Sequence, residues 1–316
     1  MKKGLVIKST GSWYIVKDDE GTRFECKIKG NLRIKDLKTT NPVTIGDIVL
    51  FEHLAKDNIS RKMNLGLIFS VEERKNYIIR RSQNLSKQAH IIAANVDQAF
   101  LVATVSYPVT TTTFMDRYLA SAEAYRIPVV LVFNKTDRYN EEQMAVLGEW
   151  TAIYQKIGYP CIHTSMVNKS GIADLMELMK GKISVFNGHS GVGKSTIINA
   201  IQPGLDLRTS EISDSHERGK HTTSHSELFE LDFGGYIIDT PGIKAFGMLD
   251  MDPWEISHYF KEIFTISSLC QYNNCSHTHE PGCAVKNAVE KGDISESRFI
   301  SYIGLLEVDH KYRPEY

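Results

Sequence analysis

The chain has 316 residues, a net charge of −1, 42% hydrophobic residues and 24% charged residues. These values suit two or three globular domains with real cores and exclude a disordered or fibrous chain. No apolar run reaches the roughly 18 residues of a membrane helix, and MKKGLVIKST has neither the apolar stretch nor the small-residue cleavage site of a signal peptide. A cytoplasmic protein without membrane partners is expected. The charge is unevenly spread: residues 1–90 hold 18 Lys+Arg against 10 Asp+Glu, and the rest hold 19 against 28. A basic N-terminal third points to an anionic partner for that part, or to a solvated basic surface.

In chain order, LVIKS, WYIVK, RFECKI and DIVLFE are short runs rich in β-branched and aromatic residues, separated by turn formers such as Thr10-Gly11 and Gly46-Asp47. With a fifth strand over Leu67–Val71 they predict a small barrel, of OB-fold or SH3-like type. Residues 72–96 read as a connector. From Val96 the buried-strand runs QAFLVATV and IPVVLVFN alternate with helical segments at 114–126 and 141–157, a βαβ pattern that implies a parallel sheet. The pattern continues through PCIHTS, a short helix at 171–180, KISVFNG and GYIIDTPG. Past residue 246 the strands vanish, and 253–264 and 284–315 read as mostly helical. The expected divisions are 1–72, 73–245 and 246–316.

Gly188, His189, Ser190, Gly191, Val192, Gly193, Lys194 and Ser195 fit G-x-x-x-x-G-K-[ST], between the strand ISVF and the helical segment that Thr196 opens. Glycines let backbone N–H groups approach phosphate oxygens, Lys194 supplies a cation, and the Ser195 hydroxyl suits Mg²⁺. Asp239-Thr240-Pro241-Gly242 fits D-x-x-G, with Asp239 toward Mg²⁺ and the Gly242 amide toward the γ-phosphate. Asn134-Lys135-Thr136-Asp137 fits N-K-x-D. The Asp137 carboxylate can accept from guanine N1–H and N2–H₂. Adenine lacks both donors, which leaves a buried carboxylate unpaired, at a cost of roughly 1–3 kcal/mol. Asn134 is expected at the other edge of the base and the Lys135 stem on its ring. Ser165 and Met166, at a strand end about 30 residues on, fit the loop whose backbone contacts the base. These motifs predict binding and hydrolysis of GTP.

The order is unusual: guanine loop, base loop, P-loop, switch, D-x-x-G. This is a circular permutation, which is tolerated because function needs the loops to meet at strand ends, in whatever chain order. The segment after Gly242 then runs straight into the C-terminal region, so nucleotide state is expected to reposition that region. Between P-loop and D-x-x-G, the polar stretch Ser215–Ser224 is the expected switch, with Thr222 or Thr223 completing Mg²⁺ coordination. Ile243 stands where Ras-like proteins carry the water-orienting Gln. His221, with His216 behind it, is the nearest candidate for that role.

Cys270, Cys275 and Cys283, with His277 or His279, lie within 14 residues. Three thiolates and one imidazole suit a closed tetrahedral structural Zn²⁺ site, which a small helical domain needs as a clamp.

Together these features resemble the RsgA (YjeQ/EngC) family of small ribosomal subunit biogenesis GTPases. Ile92–Asp97, Arg218–Thr223 and Glu280–Cys283 support the resemblance, which covers essentially the whole chain. It implies an OB-fold barrel, a circularly permuted α/β P-loop GTPase domain and a mainly α zinc-binding domain with His277 as the fourth ligand. It further implies a cytoplasmic, monomeric factor that binds the 30S subunit and its 16S rRNA late in assembly, with GTP hydrolysis stimulated by that subunit. Residues 246–316 depart from an RNA-binding expectation, with 6 Lys+Arg against 11 Asp+Glu. The basic barrel is the better electrostatic candidate for phosphate contacts. A permuted factor of the large subunit is disfavoured by the barrel plus Cys₃His module. An RNA-binding module with a vestigial GTPase is disfavoured by intact Lys194, Ser195 and Asp239.

Overall fold

Buried and exposed residues alternate along each early strand, and the buried set closes into one core. The elements of the computed structural model run β1 (Lys2–Ser9), β2 (Tyr14–Asp18), β3 (Arg23–Ile28), β4 (Ile48–Leu54), β5 (Asn64–Val71), β6 (Tyr77–Arg81), β7 (Ala89–Ala94) and β8 (Gln98–Ala103). There follow α1 (Thr112–Ala124), β9 (Val129–Phe133), α2 (Glu141–Lys156), β10 (Cys161–His163), α3 (Ile172–Met179), β11 (Ile183–Asn187) and α4 (Lys194–Ile201). The last are β12 (Ser226–Glu230), β13 (Tyr236–Asp239), α5 (Pro253–Ile256), α6 (Lys261–Ser267), α7 (Ala284–Glu290) and α8 (Glu296–Lys311). The described residues are 1–10, 12–30, 42–54, 64–81, 89–205, 226–239 and 252–311. None of their helices is long and apolar enough to cross a membrane.

The chain packs as two compact units. The first comprises Met1–Ala99, Ala173–Asn187 and Ser195–Ala245. In it β1 pairs with β2, β2 with β3, β3 in parallel with β5, β5 with β4, and β4 back with β1. This closed five-strand order is that of an OB-fold, not of an SH3-like barrel. Val6, Tyr14, Val16, Phe24, Phe51 and Ile68 fill its interior. The far end of β1 also pairs with β12, Lys8 opposite Glu227, and β12 pairs with β13, which lies parallel to β11. Residues read as a plain connector contain the antiparallel pair β6–β7. Their runs YIIRR and AHIIAA lack the alternation that marks the barrel strands.

The barrel is tied to the segment leading into β6 by a buried ion pair. The Asp47 carboxylate accepts from Arg74 Nε (2.6 Å), Arg74 Nη2 (2.7 Å) and the Thr44 amide (2.8 Å). Beside it, Gly46 has φ +84°, and a Cβ there would lie 1.9 Å from the Ala94 carbonyl oxygen, so only glycine fits.

The second unit comprises Phe100–Ile172, Gly188–Lys194 and Phe246–Tyr316. β8 and β9 are buried along their whole lengths, as strands covered on both faces must be. β10 runs parallel to β9. Asn140 caps α2 through a reciprocal bond with Gln143, which explains why that helix starts where it does. Phe260, Ile263, Val285, Ile294, Tyr302 and Leu306 form the core of the C-terminal helices, together with Ala120 of α1.

Asp47→Ala leaves the Arg74 guanidinium buried without its partner and is expected to cost about 3–5 kcal/mol in urea unfolding. Asp47→Leu combined with Arg74→Met should cost less than Asp47→Ala alone. A larger loss in the double variant would contradict this account of the pair.

Candidate functional site

β9 delivers the N-K-x-D segment. Asn134 is buried, and its amide N–H bonds the Ala103 carbonyl at 2.9 Å. Its side chain faces the P-loop: Nδ2 donates to the Val192 carbonyl (2.8 Å), and Oδ1 accepts from the Thr164 hydroxyl (2.9 Å). Asn134 therefore joins three loops, and both ends of its amide are engaged in doing so. Gly193 has φ +102°, and a Cβ there would lie 2.3 Å from Asn134 Nδ2. Gly193 is thus required by the Asn134 side chain that crosses to this loop.

Lys135 adopts a left-handed conformation (φ +66°) and opens a single 3₁₀ turn over Thr136–Arg138. Its Nζ donates to the Gly191 and Tyr107 carbonyls, each at 2.6 Å. That stretches the stem alongside the P-loop. Thr136 Oγ1 donates to the Thr164 carbonyl at 3.3 Å. The Asp137 carboxylate accepts from the Ser165 hydroxyl, which in turn accepts from the Val167 amide at 3.2 Å. Ser165 is fully buried and Met166 partly so. The base loop thus orients the carboxylate assigned to guanine by a side-chain hydroxyl, in addition to whatever its backbone contacts.

In the P-loop, Lys194 Nζ donates to the Gly188 (2.8 Å) and His189 (2.6 Å) carbonyls. The loop curls around its own lysine, the arrangement that presents backbone amides to an anion. The His189 ring lies 3.8 Å from that of Phe114. Burial, then the Lys194 charge, lowers the His189 pKa. Lys194, Ser195 and Thr196 are the first three residues of α4. Ser190 is exposed. Asp239 ends β13, with its backbone opposite Glu227. His221, Thr222, Thr223, Gly242 and Ile243 lie outside the described residues.

The sequence did not point to three participants. Tyr107 supplies a carbonyl to Lys135. The Tyr139 hydroxyl donates to the Asn134 carbonyl (2.6 Å) and accepts from the Val105 amide (2.9 Å). Phe114 covers His189. Only Tyr139, five residues past Asn134, lay near enough in sequence to have been suspected.

Cys270, Cys275, His277 and Cys283 converge in the second unit, with all four donor atoms within 4.8 Å of one another. His277 Nδ1 is 3.6 Å from Cys270 Sγ and 3.5 Å from Cys283 Sγ, and the two sulfurs are 4.0 Å apart. A tetrahedron with Zn–S near 2.3 Å and Zn–N near 2.05 Å has edges of about 3.6 Å (S–N) and about 3.8 Å (S–S). The three distances among Cys270, His277 and Cys283 lie close to those edges. Donor chemistry agrees. Burial, with the adjacent Cys283 and Cys270 sulfurs, pushes the Cys275 thiol up to about 12, so a thiolate there needs a cation beside it. Burial also lowers the His277 pKa, which favours the neutral ligating imidazole. The Glu280 carboxylate accepts from the Ser276 amide (2.7 Å), the Ser276 hydroxyl (2.6 Å) and the Thr278 amide (3.1 Å), which fixes the loop that carries His277. His279, the alternative ligand by sequence, is outside the cluster.

Comparison with known proteins gives a consistent result. The RsgA GTPase family model matches residues 71–249, and the RsgA N-terminal domain model matches 3–59. The chain is 54% identical to the small ribosomal subunit biogenesis GTPase RsgA of Phocaeicola vulgatus, over 99% of this chain and 100% of that one. It is 56% identical to RsgA 2 of Bacteroides thetaiotaomicron with the same coverage. Among solved structures it is similar to YjeQ from Thermotoga maritima (TM-score 0.79, 38% identity, 99% of both chains). It is likewise similar to YloQ, a circularly permuted GTPase (TM-score 0.78, 29% identity, 100% and 97% of the chains). Relatives thus match along nearly the whole chain, and the chain belongs to the RsgA family of GTP-hydrolysing enzymes.

Proposed function

We propose that this GTPase is a late assembly factor of the small ribosomal subunit. It binds GTP in the Asn134–Asp137, Ser165–Met166 and Gly188–Thr196 loops and the 16S rRNA through its barrel, then leaves the subunit after stimulated hydrolysis. The observation that carries the nucleotide assignment is the three-loop junction at Asn134, which sets the Ser165-oriented carboxylate of Asp137 beside a P-loop. The small-subunit assignment rests on the printed names of relatives more than half identical to this chain. The proposed divisions are a barrel over 1–72, a GTPase domain over 73–245 and a metal-binding helical domain over 246–316. The protein is taken to act as a cytoplasmic monomer.

The residues have distinct tasks. Asp137 accepts from the guanine edge, and the Lys135 stem lies on the ring. Lys194 exchanges its loop carbonyls for phosphate oxygens, replacing neutral acceptors with anionic ones. Ser195, Asp239 and Thr223 would hold Mg²⁺, which neutralises developing phosphate charge when bound. Thr222, Gly242 and His221 complete the assignment on the γ-phosphate side, with His221 orienting water where Ile243 does not. Cys270, Cys275, His277 and Cys283 would hold one structural Zn²⁺. On the barrel, Lys27 Nζ sits 4.1 Å from the Trp13 ring centroid and Lys29 Nζ 4.3 Å from that of Phe69. Such cation–aromatic pairs suit stacked bases and phosphates.

Three measurements test this reading. Asp137→Asn should cut the preference for GDP over ADP by roughly 1–3 kcal/mol in competitive nucleotide titrations. Unchanged discrimination would remove Asp137 from base recognition. Elemental analysis should find one zinc per chain, lost in Cys270→Ser. Sedimentation with separate 30S and 50S subunits should show binding to 30S favoured by a non-hydrolysable GTP analogue over GDP, with GTP turnover raised by 30S alone. Equal binding to both subunits without stimulation would defeat the proposal.

A further inference from the structure

We propose that Arg298, far from the nucleotide loops in sequence, is a positioning residue for the P-loop and couples the metal-bearing helices to it through α1. The inference rests on the nucleotide-site reading above and extends it to a contact route that avoids residues 240–251.

The route starts in a buried charge cluster. Arg298 on α8 is 1% exposed. Its Nη1 donates to Asp116 Oδ1 of α1 at 2.9 Å, and its Nε and Nη2 hold both carboxylate oxygens of Glu262 on α6 at 2.7 and 3.1 Å. Its guanidinium carbon lies 4.6 Å from the Phe260 ring centroid. Asp116, fully buried, also accepts from the Tyr154 hydroxyl of α2 at 2.8 Å. Two elements, α8 and α2, therefore converge on one carboxylate of α1, and α6 joins them through Arg298. A bidentate arginine among buried carboxylates fixes direction as well as distance, so α1 has little freedom to rotate or slide.

The same helix reaches the P-loop two residues earlier, at Phe114. Thr111 caps α1 by accepting from the Phe114 amide at 3.2 Å. Phe114 places its ring 3.8 Å from that of His189. The turn leading into α1 is held by the Thr110 hydroxyl, which accepts from the Thr104 amide at 3.1 Å, and its Tyr107 carbonyl takes a hydrogen bond from Lys135. Phe114 and Asp116 are two residues apart, so a shift imposed at one is imposed at the other. Packed interiors transmit such shifts instead of absorbing them. Binding linkage is reciprocal: if Arg298 holds the P-loop ready for phosphate, phosphate must in turn steady α6 and α8.

The test uses the full-length, metal-loaded chain. Affinity for a fluorescent GDP analogue is measured in the wild type, in Arg298→Lys and Glu262→Gln on one side, in Phe114→Leu on the other, and in the combined variants. Each single change should weaken binding by about fivefold, and the combinations by clearly less than the product, because both act through α1. Two variants on the module side keep the comparison available if one fails to fold. GDP should also raise amide-exchange protection over 296–306 in the wild type and not in Phe114→Leu, a response that a purely structural Arg298 would not give. Losses that multiply, unchanged affinity in the module-side variants, or protection over 296–306 indifferent to GDP would overturn the proposal. Failure of the wild type to bind the GDP analogue would overturn the nucleotide-site reading itself, and this inference with it.

Discussion

The nucleotide site depends on one buried amide. Asn134 cannot leave Val192 and Thr164 without stranding polar atoms in a dry interior, a loss of about 1–3 kcal/mol for each unsatisfied group. Because those partners lie on two other loops, this bond fixes their spacing. Gly193 follows from it, since the Asn134 nitrogen occupies the space a side chain would need. The Ser165 hydroxyl follows as well: once Thr164 is anchored, its neighbour meets Asp137. A junction built of contacts is indifferent to chain order. That is why a GTPase can be permuted and still bring its guanine loop and P-loop together.

Buried charge does comparable work elsewhere. Arg74 with Asp47 and Arg298 with Asp116 and Glu262 are nearly free of solvent. Such pairs add little net stability over apolar replacements, but their geometry is demanding, so they define how elements meet. The exposed pairs Lys3–Glu72 and Lys261–Glu123 are worth much less, because water and salt screen them. Backbone pairing of β1 with β12, backed by Lys8 on Glu227, ties the barrel's first strand to the strand that follows the expected switch. The segment that faces the γ-phosphate in the proposed function is therefore continuous with an element bonded to the barrel proposed to bind RNA.

The metal cluster reflects a small core. The C-terminal helices bury a modest apolar set around Phe260 and Tyr302. The Tyr302 hydroxyl donates to the Ser276 carbonyl at 2.9 Å, joining that core to the ligand loop. Strained φ at His277 (+61°) is sustained by the Glu280 hydrogen bonds on either side. A metal held by the four donors would supply what area burial in so few residues does not.

By itself the sequence determined the local chemistry. The P-loop glycines, Lys194, the N-K-x-D tetrapeptide and the Cys-x₄-Cys-x-His spacing were legible because each depends on residue type at short separation. So were the five barrel strands and the βαβ alternation, which periodicity encodes directly. Only the tertiary structure decided closure as an OB-fold, since strand partners such as β3 and β5 are not neighbours in sequence. It alone revealed the antiparallel pairing of β6 with β7. It also decided that Asn134 serves the loop junction, that His277 is chosen over His279, and that Asp116 and Arg298, 182 residues apart, share a buried bond. The physical reason is the same in each case. Backbone and side-chain preferences act within a few residues, whereas burial and hydrogen-bond satisfaction act on whatever the fold brings within about 3 Å.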